Sequence, residues 1–167
     1  MTFKVSTSTH YTCSLERAFK TGFLCDLTKV HTGYGLSPPV THTTDDENWG
    51  EVGSSKKVFV AKSLIQGGGY AFTDHVIERQ ENAYWKIQID DFQSWMAGFS
   101  KFVGEWKTTK VEDGKILVEY DYTLHAEKPQ FYILNWLFAK LFWKTYMKKV
   151  LSNIEVMIAN DEPYLYD

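Results

Sequence analysis

Residues 129–160, PQFYILNWLFAKLFWKTYMKKVLSNIEVMIAN, decide how this chain is read. The stretch from Pro129 to Asn160 reads as one long aromatic-rich helix, and it follows a run of strand-like segments between Trp49 and Ala126. That order predicts a sheet wrapped around a helix. Such a sheet encloses a cavity rather than a solid core, so the first functional expectation is a pocket for an apolar molecule.

Projected at about 100° per residue, the helix separates two faces. Tyr132, Trp136, Ala139, Trp143, Tyr146, Met147, Val150, Ile154 and Met157 fall on one stripe, which is expected to face the sheet. Ala139 leaves a gap between two tryptophans, a candidate piece of cavity. The opposite face runs from Leu134, Leu137, Phe138 and Leu141 to Lys148, Lys149, Ser152 and Glu155. An outward apolar patch of this kind is covered by a loop, by a second subunit in a homodimer, or by contact with a lipid surface. Lys140, Lys144 and Lys148 lie along its edge, as on interfacial helices. The most apolar part, Phe131 to Trp143, is interrupted by Asn135 and Lys140 and falls short of the roughly 20 residues of a membrane span, so no stable membrane insertion is expected.

Upstream, Phe3 to Thr12 alternates as a first strand, with threonines that favour a pleated surface. Ser14 is a candidate N-cap for a helix over Leu15 to Thr21, and Asp26 for a second short helix ending near Gly33. From Gly35 to Asn48, Pro38 and Pro39 with many Thr and Asp residues predict a long surface loop that could act as a lid. Strands are expected over Trp49 to Gly53, Ser55 to Leu64, Tyr70 to Arg79, Ala83 to Phe92, Phe99 to Lys110 and Lys115 to Ala126, with antiparallel neighbours.

Loop length sets which side chains face inward, because a one-residue change flips a whole strand. A three-residue Glu112-Asp113-Gly114 loop with Gly114 left-handed pairs Trp106 with Tyr120 and Phe102 with Leu124, whereas a two-residue Asp-Gly turn would set Lys107 against Tyr120, a poorer match. Phe102, Trp106, Ile116, Val118, Tyr120, Tyr122 and Leu124 then share one face, and Trp85, Ile87 and Ile89 form the inward set of the strand before. One strand earlier, two readings stand. A two-residue Glu81-Asn82 turn sends Asp74, Val76 and Glu78 inward, and a three-residue loop sends His75, Ile77 and Arg79 inward.

The chain has 167 residues, enough for one domain with a core that needs no disulfide or structural metal. Its net charge of −3, without a basic stripe on the strands, argues against a nucleic-acid partner. Aromatic residues make up 16% of it, more than a small core needs, which supports an aromatic-lined pocket. Cys13 and Cys25, with no signal peptide ahead of them, read as reduced thiols of a cytoplasmic protein.

The succession of strand, two short helices, antiparallel strands and long C-terminal helix resembles the START-like superfamily (SRPBCC), with its polyketide cyclase/dehydrase and pollen-allergen branches. The segments that carry the resemblance are Trp49-Gly50-Glu51-Val52-Gly53-Ser54, His75-Val76-Ile77-Glu78-Arg79 followed by Tyr84-Trp85-Lys86-Ile87, and Gly98-Phe99 through Trp106 before Asp113-Gly114. The resemblance covers nearly the whole chain. It implies an α+β helix-grip fold, a sheet of six to seven strands around the C-terminal helix with a deep hydrophobic cavity between them, used across the family for lipids, sterols, polyketides and hormones. It implies no common catalytic set and no cofactor.

The expected lining is Trp85, Ile87, Phe102, Trp106, Tyr120, Tyr122, Trp136, Ala139, Trp143 and Tyr146, apolar area supplying affinity and tyrosine hydroxyls orientation. A cyclase or dehydratase would need an acid or base there, and Asp74, Glu78 and His75 are the candidates. A partner-binding protein would work instead through Leu134, Leu137, Phe138 and Leu141. His10, His31, His42, His75, His125 and the cysteines lack the paired spacing of a zinc site, so no metal is expected. Gly67-Gly68-Gly69 precedes a strand rather than a helix and reads as a hairpin loop, not a phosphate cradle.

Overall fold

The computed structural model describes residues 1–44, 46–63, 67–93 and 98–166. Its elements are β1 (Thr2–Thr12), α1 (Leu15–Leu24), α2 (Leu27–Val30), β2 (Val40–Thr43), β3 (Ser55–Val60), β4 (Gly69–Gln80), β5 (Tyr84–Asp90), β6 (Phe99–Glu112) and β7 (Lys115–Ala126). A short 3-10 turn, Pro129–Phe131, leads into the C-terminal helix, which comprises α3 (Tyr132–Leu137), a π-helical segment (Phe138–Trp143) and α4 (Lys144–Ala159). The strands form one seven-stranded antiparallel sheet in the order β1-β7-β6-β5-β4-β3-β2.

Side-chain hydrogen bonds fix the short helices where the sequence placed them. The Ser14 hydroxyl accepts from the Arg17 N–H, and the Asp26 carboxylate accepts from the Thr28 N–H. The helices lie on the inner face of the sheet. An added Cβ at Gly22 of α1 would meet Trp106 of β6 at 3.4 Å and Ile154 of α4 at 3.0 Å, so the glycine lets strand, helix and helix close on one point. Tyr11 Oη donates to Leu151 O at 2.7 Å, joining β1 to α4, and Asn153 Nδ2 donates to Val30 O at 2.9 Å, joining α4 to α2.

The β6–β7 hairpin has the expected register, with Trp106 opposite Tyr120 and Phe102 opposite Leu124. The loop itself differs from the expected one: Glu112 pairs with Lys115, so the turn is the two residues Asp113-Gly114, with Gly114 left-handed at φ 72°, and a bulge at Val111 between Lys110 and Glu112 restores the register. Phe102, Trp106, Ile116, Val118, Tyr120, Tyr122 and Leu124 are all buried, as are Trp85, Ile87 and Ile89.

Three further expectations fail. Trp49 to Gly53 is not a strand, because Gly50 and Gly53 sit at φ 106° and 91° and hydrogen bonds from Trp49 N to Asp46 O and Glu51 N to Asn48 O close turns there. Within the expected loop, Val40–Thr43 pairs with β3 as an edge strand, and Pro39 just outside it costs no ladder bond. β3 ends at Val60, short of the expected Leu64, which itself lies outside the described residues.

The third failure concerns the helix. A π segment holds more residues per turn than an α-helix, so the inward stripe is displaced on its N-terminal side. Asn135 is fully buried in place of Trp136, which is 44% exposed, and Tyr132 is also exposed. From Trp143, the last residue of the π segment, onward, Trp143, Tyr146, Met147, Val150, Ile154 and Met157 face inward as expected.

Candidate functional site

Between the sheet and the helices lies a cavity of about 110 Å³. Its apolar wall includes Phe23 of α1, Trp49, Trp85, Ile87 and Ile89 of β5, Phe102 of β6 and Trp143 of the π segment. Polar groups enter it from Asp74 of β4, Tyr120 and Tyr122 of β7, Tyr146 of α4, His31 after α2, and Ser37.

Asp74 reaches the cavity through an irregularity in β4. Gln80 pairs with Tyr84 across a three-residue Glu81-Asn82-Ala83 connection with Asn82 left-handed at φ 59°, which turns Arg79 inward opposite Trp85. The register then shifts between Val76 and Glu78. A bulge at Ile77 inverts the alternation, so Val76 and Asp74 face inward beyond it. Each of the two sequence readings thus holds on one side of the bulge.

The bulge removes two catalytic candidates. Glu78 lies opposite Lys86 on the outer face and accepts a hydrogen bond from Gln80 Nε2 at 2.8 Å. His75 also faces outward, its Nε2 3.0 Å from Asp90 Oδ1. Arg79 instead brings its guanidinium over the Phe19 and Phe23 rings and donates to Gly50 O at 3.1 Å.

Asp74 is 5% exposed, and its Oδ1 has no hydrogen-bond partner among the described residues. Directly across the strand pair stands Lys56, 2% exposed, with Nζ 3.8 Å from the centre of the Trp49 ring. Burial pushes the Asp74 carboxyl above the usual carboxylate range, although Lys56 and His75 pull it back. Burial likewise lowers the Lys56 ammonium, against Asp74, Asp26 and Asp46. Desolvation therefore outweighs the mutual attraction for both partners.

The remaining polar groups are neutral. Burial pushes the Tyr120, Tyr122 and Tyr146 phenols far above their ordinary value, so they remain hydrogen-bond donors. The hydroxyls of Tyr120 and Tyr122 are 2.6 Å apart; one donates to the other and leaves one proton free to point elsewhere. The His31 ring, 2.7 Å from Tyr146 Oη, is lowered to about 4, first by burial and then by the Lys56 charge. The site can hold a molecule with an apolar body and a carbonyl or hydroxyl, and offers one carboxyl as proton donor or acceptor.

Of the expected lining, Trp85, Ile87, Phe102, Tyr120, Tyr122, Trp143 and Tyr146 lie on the cavity wall. Trp106 does not: it is fully buried behind Trp85, with ring centres 5.2 Å apart and nearly parallel planes. Ala139 is fully buried in packing away from the cavity, and Trp136 is on the outer side of the helix. Phe138, expected to face outward, leans inward with its ring 5.3 Å from that of Phe99, whereas Leu134, Leu137 and Leu141 are exposed. Sequence reading missed Phe23, His31 and Trp49. Their signal was weak because they come from short helices and a turn, where no long periodic pattern assigns an inward face.

Among the described residues, no three His, Cys, Asp or Glu side chains are grouped to hold a metal ion, and no helix is long and apolar enough to cross a membrane.

No protein-family model matches the sequence, and no curated protein matches it. Solved structures do resemble the fold. Ara h 8.0201 superposes with a TM-score of 0.68 at 15% identity, over 96% of this chain and 99% of that one. A norcoclaurine synthase point mutant from Thalictrum flavum, in complex with a transition-state analogue, gives 0.67 at 11% identity over 96% of each chain. The same plant's enzyme in complex with dopamine and hydroxybenzaldehyde gives 0.66 at 9% identity, over 98% of this chain and 90% of that one. At such identities the likeness speaks for architecture alone, and the architecture is that of the Bet v 1-like, START-like (SRPBCC) helix-grip fold.

Proposed function

We propose that this protein binds a small, largely apolar molecule, about one aromatic ring in size, whose polar group meets Asp74 and the Tyr120–Tyr122 hydroxyl pair. The observation that carries the reading is Asp74 Oδ1, without a hydrogen-bond partner among the described residues, in a largely apolar cavity. A buried carboxyl left without a partner is costly, and a ligand hydroxyl or N–H relieves that cost. Size supports the same class. An apolar cavity of about 150 Å³ takes up benzene, and drug-sized sites start near 300 Å³, so about 110 Å³ favours a single ring over a lipid or polyketide. The fold neighbour holding dopamine and hydroxybenzaldehyde carries molecules of this size. The free thiols of Cys13 and Cys25 are consistent with a cytoplasmic setting.

Native mass spectrometry of freshly purified protein, followed by denaturation and extraction, tests the reading. A single-ring compound recovered from the wild type, and bound about tenfold more weakly by Asp74→Asn, is the expected result. A long-chain lipid bound equally well by both would contradict it.

A second reading rests on the raised proton affinity of Asp74: a cyclisation or dehydration with this carboxyl as general acid or base. Glu78 and His75, on the outer face, take no part in it. Turnover of an identified substrate that survives Asp74→Asn would remove this reading.

A further inference from the structure

Away from the cavity, one surface differs in composition from the rest of the molecule. From Lys128 to Ile154 the chain carries five lysines and neither Asp nor Glu, although its net charge is −3. Lys128, Lys140, Lys144 and Lys148 are exposed. The same segment exposes Tyr132 (53%), Ile133 (74%), Leu134 (44%), Trp136 (44%), Leu137 (40%) and Leu141 (61%).

These groups share the outer side of the C-terminal helix. Ile133, Leu137 and Leu141 are exposed on α3 and the π segment, and Lys144 and Lys148 are exposed on α4 beyond it. The result is one ridge, apolar over α3 and the π segment and basic beyond. Its border with β1 is also positive: Lys140 Nζ donates to Lys4 O at 2.7 Å. Glu127 precedes the run, and Glu155 follows it about two turns beyond Lys148 on the same face of α4, which bounds the basic stretch at its C-terminal end.

A second copy of the chain is a poor occupant for this ridge. A two-fold contact would set the ridge against itself, and its lysines would meet no carboxylate from the same segment. An anionic bilayer supplies what the ridge lacks, an apolar layer bordered by negative headgroups. Aromatic residues such as Tyr132 and Trp136 suit the boundary between the two.

We propose that the outer face of α3 and the π segment docks on an anionic membrane surface, with Leu137 and Leu141 entering the headgroup–acyl boundary and Lys140, Lys144 and Lys148 engaging phosphates. The helix lies in the surface and does not cross it. The proposal does not depend on what fills the cavity.

The test is flotation of the full chain with extruded phosphatidylcholine vesicles, alone and with a third of the lipid replaced by phosphatidylserine, with Trp136 fluorescence recorded in parallel. Binding to the mixed vesicles only, weakened by salt, is expected. Each of Lys144→Gln and Lys148→Gln should weaken it about fivefold, and Leu137→Asp with Leu141→Asp should abolish it while the thermal melt stays unchanged. All four positions are exposed, and the lysine variants test the idea even if the aspartates perturb the fold. Absence of binding, equal binding to neutral vesicles, or a dimer in solution that Leu137→Asp dissociates while vesicles go unbound would overturn the proposal.

Discussion

Gly104 and Tyr122 face each other across β6 and β7, and a Cβ on Gly104 would lie 2.9 Å from Tyr122 Cζ. No real Cβ tolerates that approach, so the missing side chain at 104 is what lets the Tyr122 ring lie against the strand with its hydroxyl on Tyr120. Gly104→Ala should displace Tyr122, break the 2.6 Å hydroxyl pair and lower stability by about 1–3 kcal/mol, the usual cost of overpacking. Chemical denaturation and ligand affinity measured on one preparation check this: both should fall together.

Asn135 is fully buried, and neither of its amide atoms has a hydrogen-bond partner among the described residues. Replacing it with leucine removes an unsatisfied donor and acceptor from an apolar setting. Asn135→Leu is expected to stabilise the protein by about 1–2 kcal/mol in urea unfolding. A loss of stability would mean that the amide holds something in place.

The helix and the β4 strand show how far the sequence could be read. The register of β6 and β7 agrees with the expectation, but by another route than the expected three-residue loop: Asp113-Gly114 is a two-residue turn, and the bulge at Val111 sets Trp106 against Tyr120. The bulge at Ile77 was hidden because either side of it alternates properly and only the pairing shows the extra residue. Trp136 was misplaced for a related reason: a projection at constant angle cannot register a π segment, whose wider turn moves Asn135 into the core. The fold was therefore legible in outline, while the edge strand β2, the π segment and the identity of the cavity carboxylate were not.

Two groups at the cavity give opposite pH dependences. His31 is held below its ordinary value, so from pH 6.5 down to about 4 the unfolded chain takes up a proton that the native state refuses, and stability is lost as pH falls through that window. Asp74 is held above its ordinary value. It keeps its proton after the unfolded chain has released it, so its contribution declines as pH rises through and above the usual carboxylate range. The two slopes partly cancel in the wild type. His31→Gln should uncover the Asp74 trend, stability rising as pH is lowered from 6.5 towards 4, as read from urea midpoints at each pH.

Lys56 draws the Asp74 carboxyl down through its charge, so removing that charge should raise Asp74 further. In Lys56→Met, the Asp74 carboxyl carbon should titrate at higher pH by NMR than in the wild type, and the decline of stability should extend upward with it. An unchanged titration would mean that Lys56 is already neutral or directed elsewhere.

The most direct test of the cavity reading uses the indole N–H signals of nitrogen-15-labelled protein during titration with a single-ring phenol such as hydroxybenzaldehyde. Trp49, Trp85 and Trp143 line the cavity, and Trp136 lies on the outer face of the helix. Saturable shifts of the first three, with Trp136 unmoved and the effect reduced in Asp74→Asn, are the predicted result. Shifts confined to Trp136, or none at all, would contradict the account.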